Sequence, residues 1–197
     1  MNKQELRVQI KKELKFLPPV LFHDEGLKAA RILQDHPLFN EYPAILVFLP
    51  LNNEIDTLPL AECALAQGKK VFVPKVEGTQ IQFYRILSTD GPRQRGPFGI
   101  REPLPGNGGE AGRRLRAADF PALILVPGLA FTGQGKRLGR GGGYYDRFLA
   151  SLDAEGLKFT AIGFCMAEQI VDDLPTDTWD RKMDGVLTGD LLTMKII

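Results

Sequence analysis

The sequence is poor in the residues that build metal centres and redox motifs. It contains two cysteines, Cys63 and Cys165, which are far apart and form no Cys-x-x-Cys pair, and two histidines, His23 and His36. Zinc sites and thioredoxin-like motifs need closely spaced cysteines or cysteine–histidine clusters. The sequence therefore argues against a zinc site and against a thioredoxin-like motif. We expect the two thiols to be free. No Ser/His/Asp arrangement is apparent either, so a histidine-dependent mechanism is not expected.

The chain also lacks a strong net charge and a long apolar run. Its formal net charge is +1, with 44% hydrophobic and 25% charged residues, whereas a general nucleic-acid binder usually has a clear basic excess. No apolar run approaches the ~20 residues needed to span a bilayer. The initial MNKQELRVQIKKELKF contains no apolar segment of a secretory signal. We therefore expect a cytoplasmic protein that has neither nucleic acid nor a membrane as partner.

The sequence does contain helical and strand patterns in alternation. Apolar residues at every fourth position predict a first helix over residues 2–16. The runs AILVFL (44–49) and ALILVP (122–127) are typical of strands buried on both faces of a sheet. The other predicted elements are helices at 25–35, 57–67 (capped by Thr57 and ended by Gly68) and 144–152, and strands at 70–74, 81–87, 159–164 and 184–188.

Strands that alternate with helices imply parallel β-α-β units with helices on both faces of the sheet. Residues 88–118 are rich in Gly, Pro and Arg and are predicted as loops. No linker, repeat or low-complexity tract divides the chain. The sequence thus predicts an α/β fold, a single three-layer α/β/α domain over residues 1–197 with a mostly parallel central sheet.

An unusual segment, KRLGRGGGYYDRFL (136–149), follows the predicted strand at 122–127. Its first eight residues contain four glycines and three cations, and seven glycines lie between Gly128 and Gly143. Glycine lets the backbone present successive N–H groups to an anion, and arginine adds forked hydrogen bonds. The helix predicted from Tyr144 directs its positive dipole end to the same place. The segment therefore predicts a phosphate-binding site at the carboxyl edge of the sheet.

The two common nucleotide loops do not match this segment. Gly128 and Gly133 have the spacing of a P-loop, but Gln134 stands where that motif requires lysine. The dinucleotide pattern GxGxxG, started at Gly139, would require glycine at Tyr144. The residues alone leave open a flexible, solvated turn whose cations serve only solubility.

The longer string VPGLAFTGQGKRLGRGGGYYDRFL (126–149) resembles the signature of the 5-formyltetrahydrofolate cyclo-ligase family. It departs from that signature at Thr132, where many members have Asp, and at Gly142, where some have Lys. The resemblance extends over nearly the whole chain, and its other blocks are Lys3 with Arg7, FLPLNNEIDT (48–57), VFVPK (71–75), FGIREP (98–103) and AEQIVDDLPTDTWDRKMDGVLT (167–188).

The resemblance implies conversion of 5-formyltetrahydrofolate into 5,10-methenyltetrahydrofolate, with ATP as co-substrate, Mg²⁺ as cofactor, and ADP and phosphate as products. It implies small-molecule partners only, with the protein a monomer or a weak homodimer. Implied catalytic residues are Arg140 and Lys136. Implied ATP contacts are Lys3, Arg7, Arg137, Leu138, Gly139, Arg140, Gly141, Gly142, Gly143, Tyr144 and Tyr145. Implied folate contacts are Leu49, Glu54, Phe98, Arg140 and Tyr144, and implied Mg²⁺ ligands are Asp146 and Asp180.

Other interpretations remain open at this stage. On residue type alone, Asp146 could be an acid that stabilises the dipole of its helix, and Lys3 and Arg7 could lie on the solvated face of the first helix. Two other function classes are a non-catalytic nucleotide-binding protein with the same fold, and a sugar-phosphate isomerase or acyl-transferase relative. The latter would need its own catalytic carboxylate and no ATP.

Overall fold

The computed structural model describes residues 2–97, 99–106 and 109–194. The helices are α1 (Lys3–Lys15), α2 (Pro19–Asp35), α3 (Pro37–Glu41), α4 (Leu58–Ala66) and α5 (Tyr144–Ala154). The strands are β1 (Ala44–Leu46), β2 (Lys70–Glu77), β3 (Gln80–Ile86), β4 (Arg93–Arg95), β5 (Arg101–Pro103), β6 (Ala122–Val126), β7 (Ala130–Phe131), β8 (Arg137–Leu138), β9 (Phe159–Phe164), β10 (Gly185–Leu187) and β11 (Leu192–Met194).

The central sheet has seven strands in the order β11-β10-β9-β6-β1-β2-β3. The pairs β10·β9, β9·β6, β6·β1 and β1·β2 are parallel, while the edge strands β11 and β3 pair antiparallel to their neighbours. The predicted α/β fold with a mostly parallel sheet is therefore confirmed. The single domain stays a prediction.

Helices cover both faces of this sheet, as the continuous apolar strands predicted. Along β1, Ile45 packs in the cluster that contains residues of α2, α3 and α4, and its neighbours Ala44 and Leu46 pack in the cluster of α5. All three side chains are fully buried. Successive side chains of a strand point to opposite faces, so a strand covered on both sides must be apolar at every position.

Helix α1 lies against a different part of the molecule. A capping box starts it, because the Asn2 side chain accepts from the backbone N–H of Glu5 and the Glu5 side chain accepts from that of Asn2. Its buried residues Ile10 and Leu14 pack against Leu138 in the small β7–β8 hairpin. The first helix is thereby fixed beside the glycine-rich segment.

Several local predictions were incomplete or wrong. Helix α2 begins at Pro19 rather than at residue 25, since proline is well tolerated in the first turn. Thr57 does not cap α4 with its side chain: its hydroxyl donates to the carbonyl oxygen of Phe48, while the Asp56 carboxylate accepts from the N–H of Leu58. Residues 88–118, predicted as loops, contain the β4–β5 hairpin. Both cysteines are free, as expected.

A buried ion cluster holds the segment before β6. The Asp119 carboxylate, whose side chain is 3% exposed, pairs with Arg113 at 2.7 Å and with Lys70 at 3.0 Å. It also accepts from the backbone N–H of Arg116. Burial alone would raise the pKa of the Asp119 carboxyl, but these partners together outweigh it and hold the pKa well below its usual range.

Replacing Asp119 by alanine is expected to lower the free energy of unfolding at pH 7 by about 3 kcal/mol, because it leaves the largely buried Arg113 with only the exposed carboxylate of Glu110. The folded-state pKa is depressed, so this stability is fully present above pH about 4 and is lost as the pH falls further. Urea unfolding of both proteins across acidic pH measures this. Asp173→Ala, which removes an exposed acid, is the control and should change little. An equally stable Asp119→Ala variant would contradict the prediction.

Candidate active site

A cavity of about 780 Å³ opens at the carboxyl edge of the sheet. Its walls come from the segments that follow β1 and β6, from β2, from α1 and from the start of α5. Strand β1 lies between β6 and β2. The chain therefore passes from β1 to β2 on one side and later adds β6 on the other side of β1. In open α/β sheets such a switch in strand order creates the ligand crevice.

The cavity brings together most of the side chains that the sequence assigned to a site. The predicted residues that line it are Lys3, Arg7, Leu49, Glu54, Arg137, Leu138, Gly139, Arg140, Gly141, Gly142, Gly143, Tyr144, Tyr145, Asp146 and Asp180. Lys136 does not belong to the described lining, and its ammonium group pairs with Asp173 at 2.5 Å. Phe98 lies outside the described residues.

The glycine-rich segment forms the β7–β8 hairpin and then a bend into α5. Gly141 (φ 109°) and Gly143 (φ 65°) have left-handed backbone angles that other residues rarely adopt. Gly143 is the N-cap of α5 and supplies no side-chain hydrogen bond to the first turn. The first N–H groups of a helix are unsatisfied unless a cap or a ligand accepts them. This bend therefore has the features of an anion site at a helix N-terminus.

Arg137 and Asp146 form an ion pair beneath this bend. The Arg137 side chain is 5% exposed, and its Nη2 donates to Asp146 Oδ1 at 2.7 Å. Arg137 Nη1 also donates to the carbonyl oxygen of Pro127 at 3.1 Å, which ties β8 to the end of β6. Arg137 thus has a structural role in addition to its place in the cavity wall. Asp146 contributes a carboxylate, about one-fifth exposed, to the same wall.

A second pair joins the glycine bend to the segment after β1. Arg140 Nε donates to Glu54 Oε1 at 2.7 Å, and Glu54 Oε2 accepts from the N–H of Leu51 at 2.9 Å. Glu54 is buried, whereas the Arg140 side chain is 35% exposed. The bond to Glu54 uses one of the five N–H donors of the guanidinium group. Arg140 therefore has donors left for a ligand.

Helix α1 closes another side of the cavity. Lys3 Nζ pairs with Asp177 at 2.6 Å and with Asp180 at 2.5 Å, and Arg7 Nε donates to the carbonyl oxygen of Gly139 at 2.9 Å. Burial opposes the charge on Lys3, but the two aspartates outweigh this effect and raise its pKa. Helix α1 is thus joined both to the glycine bend and to the turn at residues 177–180.

Tyr145 lines the cavity, and its hydroxyl oxygen is buried. Among the described residues its hydroxyl has no hydrogen-bond partner. Burial raises the pKa of Tyr145, the charge of Glu54 raises it further, and Arg137 opposes both. The phenol therefore keeps its proton and acts as a hydrogen-bond donor. A buried donor without a partner is costly, and a ligand in the cavity could accept from it.

Sequence reasoning missed other parts of this cavity. An apolar wall is formed by Phe48, Pro74, Val76, Ile81 and Ile100. Asp177 and Trp179 line the cavity on the turn that also contains Asp180. Most of these residues lie in blocks that the sequence analysis singled out, so proximity to the assigned residues was the available signal.

None of the described helices combines the length and the apolar character of a membrane span.

Known proteins similar to this chain come from one family. The model of the 5-formyltetrahydrofolate cyclo-ligase family matches residues 1–189. The probable 5-formyltetrahydrofolate cyclo-ligase of Schizosaccharomyces pombe is 26% identical over 206 residues, covering 100% of this chain and 99% of the relative. The 5-formyltetrahydrofolate cyclo-ligase of Haemophilus influenzae is 29% identical over 203 residues, covering 96% of this chain and 100% of the relative.

Solved structures give the same result. The NMR structure of Aquifex aeolicus 5,10-methenyltetrahydrofolate synthetase is similar with a TM-score of 0.80 and 32% identity, covering 98% of this chain and 93% of that one. The synthetase from Mycoplasma pneumoniae has a TM-score of 0.72 at 22% identity over 96% of this chain and 99% of that one, which supports the fold. The chain therefore belongs to the 5-formyltetrahydrofolate cyclo-ligase family.

Proposed function

We propose that this protein converts 5-formyltetrahydrofolate into 5,10-methenyltetrahydrofolate at the expense of ATP. The observation that supports this most directly is the composition of the cavity. One part has a glycine bend, an uncapped helix start and the cation Arg140, which suit phosphates. Another part has the apolar wall with the buried carboxylate of Glu54, which suits a flat ring with N–H donors.

The reaction makes a poor electrophile reactive. The formyl oxygen attacks the γ-phosphorus of ATP, and ADP leaves. N10 of the same folate then attacks the formyl carbon, closes the five-membered ring and gives up its proton to water. The carbon–oxygen bond breaks, and inorganic phosphate leaves with the oxygen. Such a reaction asks the protein for positioning and charge stabilisation rather than for a covalent nucleophile, which agrees with a cavity rich in N–H donors.

The phosphate contacts are assigned to the residues around the bend. The backbone N–H groups of residues 139–144 and the guanidinium of Arg140 would bind the phosphate oxygens. Arg140 also bonds to Glu54, so it can hold the transferred group close to the folate. Lys3 and Arg7 would add positive charge from α1. Lys136 lies outside the described cavity wall and pairs with Asp173, so we do not propose it as a catalytic residue.

The folate contacts are assigned to the opposite wall. Glu54 would accept hydrogen bonds from the amino-pterin edge, since a carboxylate suits adjacent N–H donors. Leu49 and Tyr144 would pack on the flat rings. Phe98 keeps its predicted role as a further ring contact.

The carboxylates on the wall fit Mg²⁺ bound together with a nucleotide. Over residues 2–97, 99–106 and 109–194, no group of three or more His, Cys, Asp or Glu side chains forms a complete metal site. Mg²⁺ usually binds through one or two carboxylates plus phosphate oxygens and water, and Asp146 and Asp180 supply such carboxylates. When bound, the ion would neutralise charge on the phosphates. Asp146 would hold it while accepting from Arg137, and Asp180 would contribute from the side of Lys3.

The proposed function is tested by mixing the protein with ATP, Mg²⁺ and 5-formyltetrahydrofolate and following the absorbance of the conjugated methenyl product. We expect absorbance to grow only when all three components are present. A folded protein that forms no product would contradict the ligase and leave a nucleotide-binding protein. Product formed without ATP would indicate a different reaction class.

Tyr145→Phe tests whether the buried phenol serves a ligand. We expect kcat/KM to fall about tenfold, because one hydrogen bond to the bound substrates is lost, while the free energy of unfolding stays the same or rises, because an unpaired buried hydroxyl is removed. Tyr42→Phe is the matched control: its hydroxyl bonds to Thr160 at 2.5 Å, so its loss should affect stability rather than activity. Full activity in Tyr145→Phe would contradict the assignment.

A further inference from the structure

Trp179 is the sole tryptophan of the chain, and it is exposed in an unusual place. Trp179 is 73% exposed to solvent, yet it lines the main cavity. Single exposed apolar side chains are common on protein surfaces and usually need no explanation. An indole at the edge of a cavity that also contains cations and a glycine bend offers a flat surface where a ligand would bind.

The backbone around Trp179 is fixed in a tight turn. The N–H of Asp180 donates to the carbonyl oxygen of Asp177 at 3.1 Å, and the N–H of Asp177 donates to the Asp180 carboxylate at 2.7 Å. Lys3 pairs with both carboxylates. Farther along, the N–H of Met183 donates to the carbonyl oxygen of Gly135 at 2.8 Å. The indole therefore projects from a backbone that is held on both sides.

The contacts along the cavity wall connect this turn to Glu54 only through several intervening residues. Glu54 bonds to Arg140, and the adjacent Gly139 accepts from Arg7. Arg7 lies one helical turn from Lys3 in α1, and Lys3 pairs with the aspartates that flank Trp179. The order is thus buried carboxylate, glycine bend, cationic helix and indole.

We propose that Trp179 stacks on the purine ring of the nucleotide, an inference that rests on the proposed function. The bend and the cations would hold the triphosphate in the middle of the cavity, and the apolar wall beside Glu54 would hold the folate. The base then lies on the remaining side, where the indole is. Aromatic side chains bind bases through the π-face of the ring, so this contact gives affinity for a nucleoside triphosphate over a bare polyphosphate.

Because no second tryptophan is present, fluorescence excited at the red edge, where tyrosine does not absorb, reports on this residue alone. We expect ADP with Mg²⁺ to quench the emission, with a midpoint equal to the Kd from calorimetry. Inorganic tripolyphosphate with Mg²⁺ should compete with ADP without quenching, because it has no base. Calorimetric ADP binding with unchanged emission would overturn the proposal. These readouts need no turnover, so they are independent of the cyclo-ligase activity.

Substitutions of Trp179 test which of the two substrates it contacts. Trp179→Ala should raise the KM for ATP about tenfold, and Trp179→Phe, which keeps an aromatic face, should recover most of that loss. The KM for 5-formyltetrahydrofolate should stay unchanged in both variants. Phe16→Ala is the matched control, since Phe16 is 77% exposed and is not part of the described cavity wall. A rise in the folate KM with the ATP KM unchanged would assign Trp179 to the folate and overturn the proposal.

Discussion

Arg140→Ala is expected to lower kcat/KM for ATP by about 10²–10³-fold, the usual effect of removing one well-placed donor to developing charge. The substitution removes the guanidinium from the bend and separates the phosphate contacts from Glu54, to which Arg140 donates at 2.7 Å. Arg140→Lys should recover only part of the rate, because an ammonium group keeps the charge but not the fork. Initial rates at varied ATP and folate concentrations measure both variants.

The comparison with Lys136→Ala makes this test sharper. Lys136 is the other cation that the sequence proposed as catalytic, yet its ammonium group pairs with Asp173 away from the described cavity wall. We expect Lys136→Ala to retain nearly the full rate. If Lys136→Ala were as impaired as Arg140→Ala, or if Arg140→Ala kept a normal dependence on ATP, the assignment of the phosphate site would be wrong.

Asp146→Asn is expected to reduce kcat by about 100-fold at saturating ATP and to raise the Mg²⁺ concentration needed for half-maximal rate. The amide oxygen can still accept from Arg137, so the ion pair becomes a hydrogen bond and the free energy of unfolding should fall by no more than about 3 kcal/mol. Mg²⁺ titrations of the rate, together with chemical unfolding, separate the two effects.

Asp153→Asn provides the control on the same helix. Its carboxylate pairs with Arg181 at 2.9 Å and is about half exposed, outside the described lining of the cavity. It should leave the Mg²⁺ dependence unchanged. If Asp146→Asn lost stability while its Mg²⁺ dependence matched that of the unmodified protein, Asp146 would serve only as the counter-ion of Arg137.

The parts of the fold that the sequence predicted are those with a strong local pattern. Strand β6 is continuously apolar because α5 packs on one of its faces and α2–α4 pack on the other. The hairpins β4–β5 and β7–β8 were missed because strands of two or three residues are too short to show a period. The antiparallel direction of β3 was not predictable either, since alternation identifies a strand but not its orientation.

The sequence proposed a role for each site residue, and those roles stay predictions, but it did not propose the pairings between the residues. The sequence proposed Arg137 and Asp146 as separate contacts to phosphate and metal, whereas the two side chains bond to each other across the bend. Lys3 and Asp180 are 177 positions apart in the chain, and only the tertiary fold brings them together. Trp179 was missed because a single exposed aromatic has no periodicity or motif of its own. Localisation in the cytoplasm remains a prediction.

The role proposed for the bend at residues 139–144 is to bind the phosphates of ATP. A crystal structure with a non-hydrolysable ATP analogue, Mg²⁺ and 5-formyltetrahydrofolate tests it most directly. We expect phosphate oxygens on the backbone N–H groups of the bend and on Arg140, with the pterin edge at Glu54. Phosphates bound elsewhere, with the bend contacting only solvent, would contradict it.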